Sequence, residues 1–223
     1  MSTDPTSAPR QKEAHHAPHP SRRGARRLGA SLTFGTVPAV AGQPHQVDPA
    51  TLQPALNPNF TWSCYEAGSG ITCQGTFEPS YNEPIGLFCD GQEVWIHGAG
   101  REFMTRWHTA DGLATKTVVH LDYPADVFSL TEDGSGPSVT IRGSFNRHYV
   151  YPDPGVLETR VLTEVGAIYL VNERGRGITL HDTGRVTFAP GGDFEEVDTM
   201  SGVHDAYSGD ETFFDTFLCD ALT

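Results

Sequence analysis

From residue 60 onward, short runs of alternating apolar residues are cut at close intervals by turn signals, and this punctuation restricts the fold more than any other feature. The turns are Gly68-Ser69-Gly70, Asp90-Gly91, Asp111-Gly112, Asp133-Gly134-Ser135-Gly136, Pro152-Asp153-Pro154-Gly155, Arg174-Gly175-Arg176-Gly177 and Pro190-Gly191-Gly192-Asp193. Each offers glycine where φ must be positive or proline where φ is preset. The runs between them read as strands over roughly 60–66, 71–78, 85–89, 92–98, 101–109, 113–121, 125–131, 138–151, 157–172, 177–189 and 194–200. Val, Ile, Thr, Phe, Tyr and Trp dominate them. No helical periodicity lies between, which excludes parallel βαβ units.

Many antiparallel strands in sequence order predict a meander, and closing a meander removes its exposed edges. The expected fold is therefore all-β: a closed or nearly closed barrel of the lipocalin or streptavidin general type, with a two-sheet sandwich as the alternative. Gly209-Asp210-Glu211 leads into Thr212, Phe213, Phe214, Phe217 and Leu218, an acidic first turn followed by helical apolar spacing. A short C-terminal helix over 210–221 is expected to dock on the sheet.

Charge divides the 223-residue chain. Residues 1–41 carry six basic and two acidic side chains, a net +4, and residues 42–223 carry nine basic and 26 acidic, a net −17. The first segment has the order of a secretory leader: Arg22-Arg23-Gly24-Ala25-Arg26-Arg27, a mildly apolar stretch from Leu28, then Ala39-Val40-Ala41 as a cleavage pattern before Gly42. Paired arginines before a weak apolar stretch also suit a twin-arginine route. Residues 42–58, with four prolines, read as a linker or extended arm, leaving 59–223 as one β-rich domain. No apolar run reaches the 18 residues of a membrane-spanning helix. The acidic balance argues against nucleic acid as a partner. A secreted or extracellular location follows.

Cysteine use agrees with export. Cys64 and Cys73 flank the Gly68-Ser69-Gly70 turn, so a hairpin there would bring them together; Cys89 and Cys219 would then tie an early strand to the C-terminus. No Cys-x-x-Cys pair, His-Glu-x-x-His or Asp-x-Asp-x-Asp-Gly loop occurs, so no metal and no cofactor is expected. No Gly-x-Ser-x-Gly elbow occurs either.

Strand alternation sorts the polar residues. Over 138–151 one face carries Val139, Ile141, Gly143, Phe145, Arg147, Tyr149 and Tyr151; over 177–189 one face carries Ile178, Leu180, Asp182, Gly184, Val186 and Phe188. Arg147 and Asp182 are thus the polar members of apolar stripes. They are either register-fixing ion pairs or hydrogen-bonded singles, or anchors in a cavity ringed by Phe145, Tyr149 and Tyr151. Trp95 and His97 share a face of an early strand and are a further cavity-lining pair, or core packing. A hairpin through Asp111-Gly112 whose partner numbers sum to 222 pairs Trp107 with Thr115, Phe103 with Val119, Arg106 with Lys116 and Glu102 with His120. That register assigns Glu102, Arg106, His108 and His120 to a solvated outer face.

The Cys-x₈-Cys spacing, Gly86-Leu87-Phe88-Cys89-Asp90-Gly91, Leu180-His181-Asp182-Thr183-Gly184 and Phe217-Leu218-Cys219 together resemble small secreted proteins of high-GC Gram-positive bacteria over about residues 60–221. The resemblance implies export and a shared β fold; its motifs are structural and bring no catalytic residues.

The functional expectation is a secreted barrel that binds a small polar or anionic ligand, or an extracellular protein, through Arg147, Asp182, Tyr149, Tyr151, Phe145, Trp95 and His97. The alternatives are a barrel isomerase or hydrolase with Asp182 or His97 as general base, and an acidic protein-interaction surface.

Overall fold

The computed structural model describes residues 44–173, 175–191, 196–205 and 213–223, without the side chains of 213 and 214. The leader, Arg174, the Gly192-Asp193 end of its turn, the start of the 194–200 strand and the first turn of the 210–221 helix lie outside the described residues.

Ten antiparallel strands follow in sequence: β1 (Thr61–Ala67), β2 (Gly70–Phe77), β3 (Ser80–Cys89), β4 (Gln92–Ala99), β5 (Arg101–Thr109), β6 (Ala114–Ser129), β7 (Ser138–Val150), β8 (Val161–Glu173), β9 (Gly177–Phe188) and β10 (Val197–His204). A helix, α1 (Phe213–Leu222), ends the chain. The expected turns fall between the strands. At Asp90-Gly91 both residues take positive φ, 49° and 81°, as a two-residue hairpin turn requires.

β2 and β3 pair with β5 and β4 in a single continuing register, Phe77 opposite Glu102 and Ser80 opposite Ala99. The four segments are therefore one long hairpin, kinked at residues 78–79 and at Gly100. β6 lies against both β4 and β5 and unites the two strands expected over 113–121 and 125–131. Pro124, which cannot donate a ladder bond, falls in the register break between Tyr123 and Asp126. The sheet order is β1-β2-β5-β6-β7-β8-β9-β10, a meander. It is not a closed barrel: β1 and β10 end the sheet, and no ladder joins them among the described residues.

A row of glycines bends the sheet. Gly166, Gly184 and Gly202 are direct cross-strand partners on β8, β9 and β10, with φ of 136°, 143° and 127°. A Cβ on Gly184 would lie 2.2 Å from the Ser201 carbonyl oxygen, and one on Gly202 2.3 Å from that of Thr183. Only glycine allows the backbones to cross so closely at such φ.

One face of the sheet carries the core. Phe128, Val139, Ile141, Val171 and Leu180 pack with Leu218 and Leu222 of α1, while Val119, Leu121, Phe145, Leu162, Ile168, Val186 and Phe188 form a second cluster. Residues 44–60 are packed as well. Gln46 bridges to Tyr65, Gln53 bridges to Leu113, and Leu52 is buried against Cys64, Ile71 and Cys73. Disulfides join Cys64 to Cys73 across the β1–β2 hairpin and Cys89 to Cys219, which fixes α1 to the end of β3. No described helix is long and apolar enough to cross a membrane.

The β5–β6 register corrects one expectation. His108 opposite Ala114 keeps the sum of 222, but a bulge after Trp107 shifts the rest to 223. Trp107 thus faces Lys116, Phe103 faces His120, and Arg106 faces Thr117. Phe103 is 49% exposed, whereas Arg106 and His108 are buried. A one-residue slip exchanges the partners across the ladder, and here the polar residues of β5 take the inner face.

Candidate functional site

The inner face concentrates positive charge. β5 contributes Glu102, Met104 and Arg106; β6 contributes Thr117, Val119 and Leu121; β7 contributes Arg147 and Tyr149, and Tyr151 follows just after its end. Arg160, just before β8, completes a cavity of about 230 Å³ that Asn57 and Phe60 border from the N-terminal arm. Three of the nine basic residues in 42–223 line this one space.

Each arginine is held differently. Arg106, 8% exposed, donates from Nε to Thr117 Oγ1 at 3.2 Å and from Nη1 to the carbonyl oxygens of Pro54 and Ala55 at 3.1 and 3.4 Å. All three acceptors are neutral. Burial pushes its guanidinium below the ordinary arginine value; Tyr151 opposes this, the nearby Arg160 charge adds to it, and Tyr149 opposes it. Arg147 donates from Nε to Oε1 of Glu164 at 2.6 Å, and its guanidinium lies 5.3 Å from the centre of the Phe145 ring. Burial would lower its pKa, but the Glu164 carboxylate outweighs this and raises it. Arg160 sits 5.1 Å over the Tyr149 ring, a cation–π arrangement.

A second cavity of about 240 Å³ adjoins the first. Leu121 and Arg147 line both, and Ile96, Phe128, Ile141, Phe145, Ile168 and Tyr169 give the second an apolar wall. At its polar end Tyr123 donates to Glu102 Oε1 and Tyr81 donates to Asp126 Oδ1, each at 2.5 Å. Burial raises the Asp126 carboxyl, against the Tyr81 bond, which favours its ionised form.

The expected site residues divide into two groups. Arg147, Tyr149 and Tyr151 line the first cavity, and Phe145 and Arg147 line the second. Asp182, Trp95 and His97 line neither. Asp182 is fully buried and accepts from Nδ1 of His204, its cross-strand partner, at 2.8 Å. Arg147 is bonded to Glu164 and Asp182 to His204, in each case the direct cross-strand partner. Trp95 and His97 fall on the other face of β4, because Val94 and Ile96 take the inner positions. His97 Nε2 lies 3.1 Å from Ser129 Oγ and 3.3 Å from the Thr131 carbonyl, beneath the loop after β6. As a general base, neither Asp182 nor His97 has one of these cavities in front of it.

Comparison with protein-family models, curated proteins and solved structures found no match.

Strand parity placed Arg106 and Glu102 outside because the bulge at Trp107 exchanges the partners of β5 across the ladder, whereas Thr117 shares the parity of Val119 and was within reach. Glu164 was within reach of the same reasoning, since it shares parity with Leu162 on β8. It is 1% exposed. Arg160 falls within the run expected as a strand over 157–172 and shares the parity of Glu164, but residues 157–159 form a single 3-10 turn and β8 begins only at Val161. Among the described residues, no cluster of three or more His, Cys, Asp or Glu side chains is arranged to hold a metal ion.

Proposed function

We propose that the chain is an exported binding protein whose inner face holds a small organic anion, a carboxylate or phosphate, between Arg106, Arg147 and Arg160. The observation that carries this reading is Arg106. A guanidinium that is 8% exposed, faces a cavity and hydrogen-bonds only neutral oxygens has given up water without gaining a counter-charge. Burial of a charge without an opposite charge is costly, and a bound anion would supply it. Arg160 adds attraction at the same place, and its charge already disfavours that of Arg106. Tyr149 and Tyr151 border the same space. Three arginines against one carboxylate, Glu102, leave the wall of this cavity net positive, and low-dielectric walls focus the local field.

The two disulfides support export, since such bonds persist in oxidising compartments. The leader-like segment adds the route, and cleavage is expected after Ala41.

Thermal shift against a panel of mono- and dicarboxylates, phosphate monoesters and matched amines tests the binding reading. At least one class of anion should raise the melting temperature, the amines should not, and Arg106→Gln should weaken the effect at least tenfold. The reading is overturned if no anion shifts the wild-type protein at millimolar concentration, or if Arg106→Gln responds as the wild type does. Mass determination of protein recovered from culture medium tests export; an intact residue 1–41 segment on the secreted chain would refute the cleavage site.

A further inference from the structure

We infer that the ligand of this inner face is an amphiphile: an organic anion whose charged head sits at Arg106 and Arg160 and whose apolar tail fills the neighbouring cavity. The inference rests on the anion reading of the first cavity and adds what the second one contributes. Ligand pockets usually span about 300–1,000 Å³. At about 230 and 240 Å³ each cavity alone falls short, and the two together reach that range. They meet at Leu121 and Arg147, which line both. Their walls differ in the sense an amphiphile needs. Three arginines line the first, while Ile96, Phe128, Ile141, Phe145 and Ile168 line the second.

Arg147 makes the passage compatible with a tail. Its Nε is held by Glu164 and its guanidinium lies over the Phe145 ring, so the charge at the junction is turned aside and compensated. The carboxylates in the two cavities are engaged too, Glu102 by Tyr123 and Asp126 by Tyr81. An apolar chain passing them strips no free carboxylate of its partner. The class of ligand is therefore a medium-length alkyl or aryl carboxylate or phosphate, in preference to a small polar anion or a neutral lipid.

Calorimetric titration of the oxidised protein with acetate, hexanoate, decanoate and dodecanoate, with decanol as the uncharged control, tests this. Affinity should rise about fourfold for each methylene that enters the second cavity, then level off once the cavity is full. Decanol should bind at least 100-fold more weakly than decanoate. Ile96→Trp, which adds bulk in the second cavity only, should weaken decanoate at least tenfold and leave acetate unchanged. Arg106→Gln should weaken every carboxylate by a similar factor and keep the chain-length slope. If Ile96→Trp does not fold, the chain-length series on the wild-type protein decides alone. Equal affinity for acetate and decanoate overturns the tail and leaves the anion site standing. Decanol binding as well as decanoate overturns the charged head. Absence of binding by every carboxylate, together with no response to phosphate monoesters, overturns the anion site and the inference with it.

Discussion

Removing the Cys89–Cys219 bond should cost more than removing Cys64–Cys73, and the difference can be worked from the loops they close. The first spans 130 residues of sequence and the second nine. In the chain-entropy model these correspond to about 5 and about 3 kcal/mol. All four cysteines are fully or nearly fully buried except Cys219, which lies on α1 against the first core cluster. Replacing the short-loop pair removes two buried sulfurs and replacing the long-loop pair only one, so a larger cost for the long-loop pair cannot come from lost sulfur burial. The longer bond has a second effect. α1 has only ten residues, below the length at which an isolated helix holds in water. It is kept in place by Leu218 and Leu222 in the core and by Cys219. The assay is urea unfolding of C89A/C219A, C64A/C73A and wild type, followed by tryptophan fluorescence, with amide exchange in 213–222 as a local readout. With a urea slope of about 2 kcal/mol/M, the long-loop variant should unfold about 1 M earlier than the short-loop variant. It should also lose protection in α1 before the sheet. Equal midpoints, or an earlier midpoint for C64A/C73A, would refute the reasoning.

Four further outcomes follow. His108 is held neutral with its pKa lowered to about 4, first by burial and then by the Arg106 charge, so stability should be lost as pH falls from about 6.5 toward 4, by at most about 3 kcal/mol; His108→Leu should flatten that limb in a melting-temperature series against pH. His204 behaves in the opposite sense: burial lowers its pKa, but the bonds to Asp182 and to the Ser201 carbonyl outweigh burial and raise it. Its contribution is complete below about pH 6.5 and lost as pH rises through the raised value, a limb that His204→Asn should abolish. Glu164→Gln should destabilise the fold by about 3–5 kcal/mol, because Arg147 loses its counter-charge, yet strengthen anion binding on the order of tenfold; a weakened anion response would count against the cavity. Gly184→Ala, with a Cβ that would approach the Ser201 oxygen, should cost about 1–3 kcal/mol by denaturant unfolding, and a neutral result would refute the role given to the glycine row.

Much of the fold was legible because turns and cysteines act locally. Asp90-Gly91 and Asp111-Gly112 specify their hairpins by backbone conformation alone, whatever packs around them. Cys64 and Cys73 follow from the hairpin that joins them. The inner stripes were legible too over Val139–Tyr149 on β7 and Leu180–Phe188 on β9, but Ile178, expected on the same stripe, is exposed past a register shift in the β8–β9 ladder. What failed to show was decided at a distance. The bulge at Trp107 turns Arg106 inward and leaves Phe103 half exposed, a choice that depends on the arm supplying Pro54 and Ala55 as acceptors. Alternation of apolar residues on β5 pointed the other way. Closure also escaped prediction, because the number of strands does not determine whether β1 and β10 meet. The site was half legible for the same reason: the tyrosines and Arg147 lie on a regular strand, whereas Arg106 and Arg160 depend on a bulge and a loop.

The inner-face charges do not all need the same explanation, and that separates structure from function. Arg147 and Glu164 are direct cross-strand partners, and so are Asp182 and His204. A slip of one residue would part either pair and leave a charge buried alone, so both pairs fix register between neighbouring strands. Apolar residues of similar volume would stabilise such positions as well or better, and their cost is balanced by specificity of pairing. Arg106 does not fit that account. Its cross-strand partner is Thr117, which has no charge, and its other bonds reach the backbone of the arm. A leucine-like side chain there would avoid the desolvation penalty of the charge but leave the Pro54 and Ala55 carbonyls without this donor. Register therefore explains four of the buried ionisable groups on this face and leaves Arg106 over, facing the cavity. A bound anion, as proposed, would offset the cost of that charge.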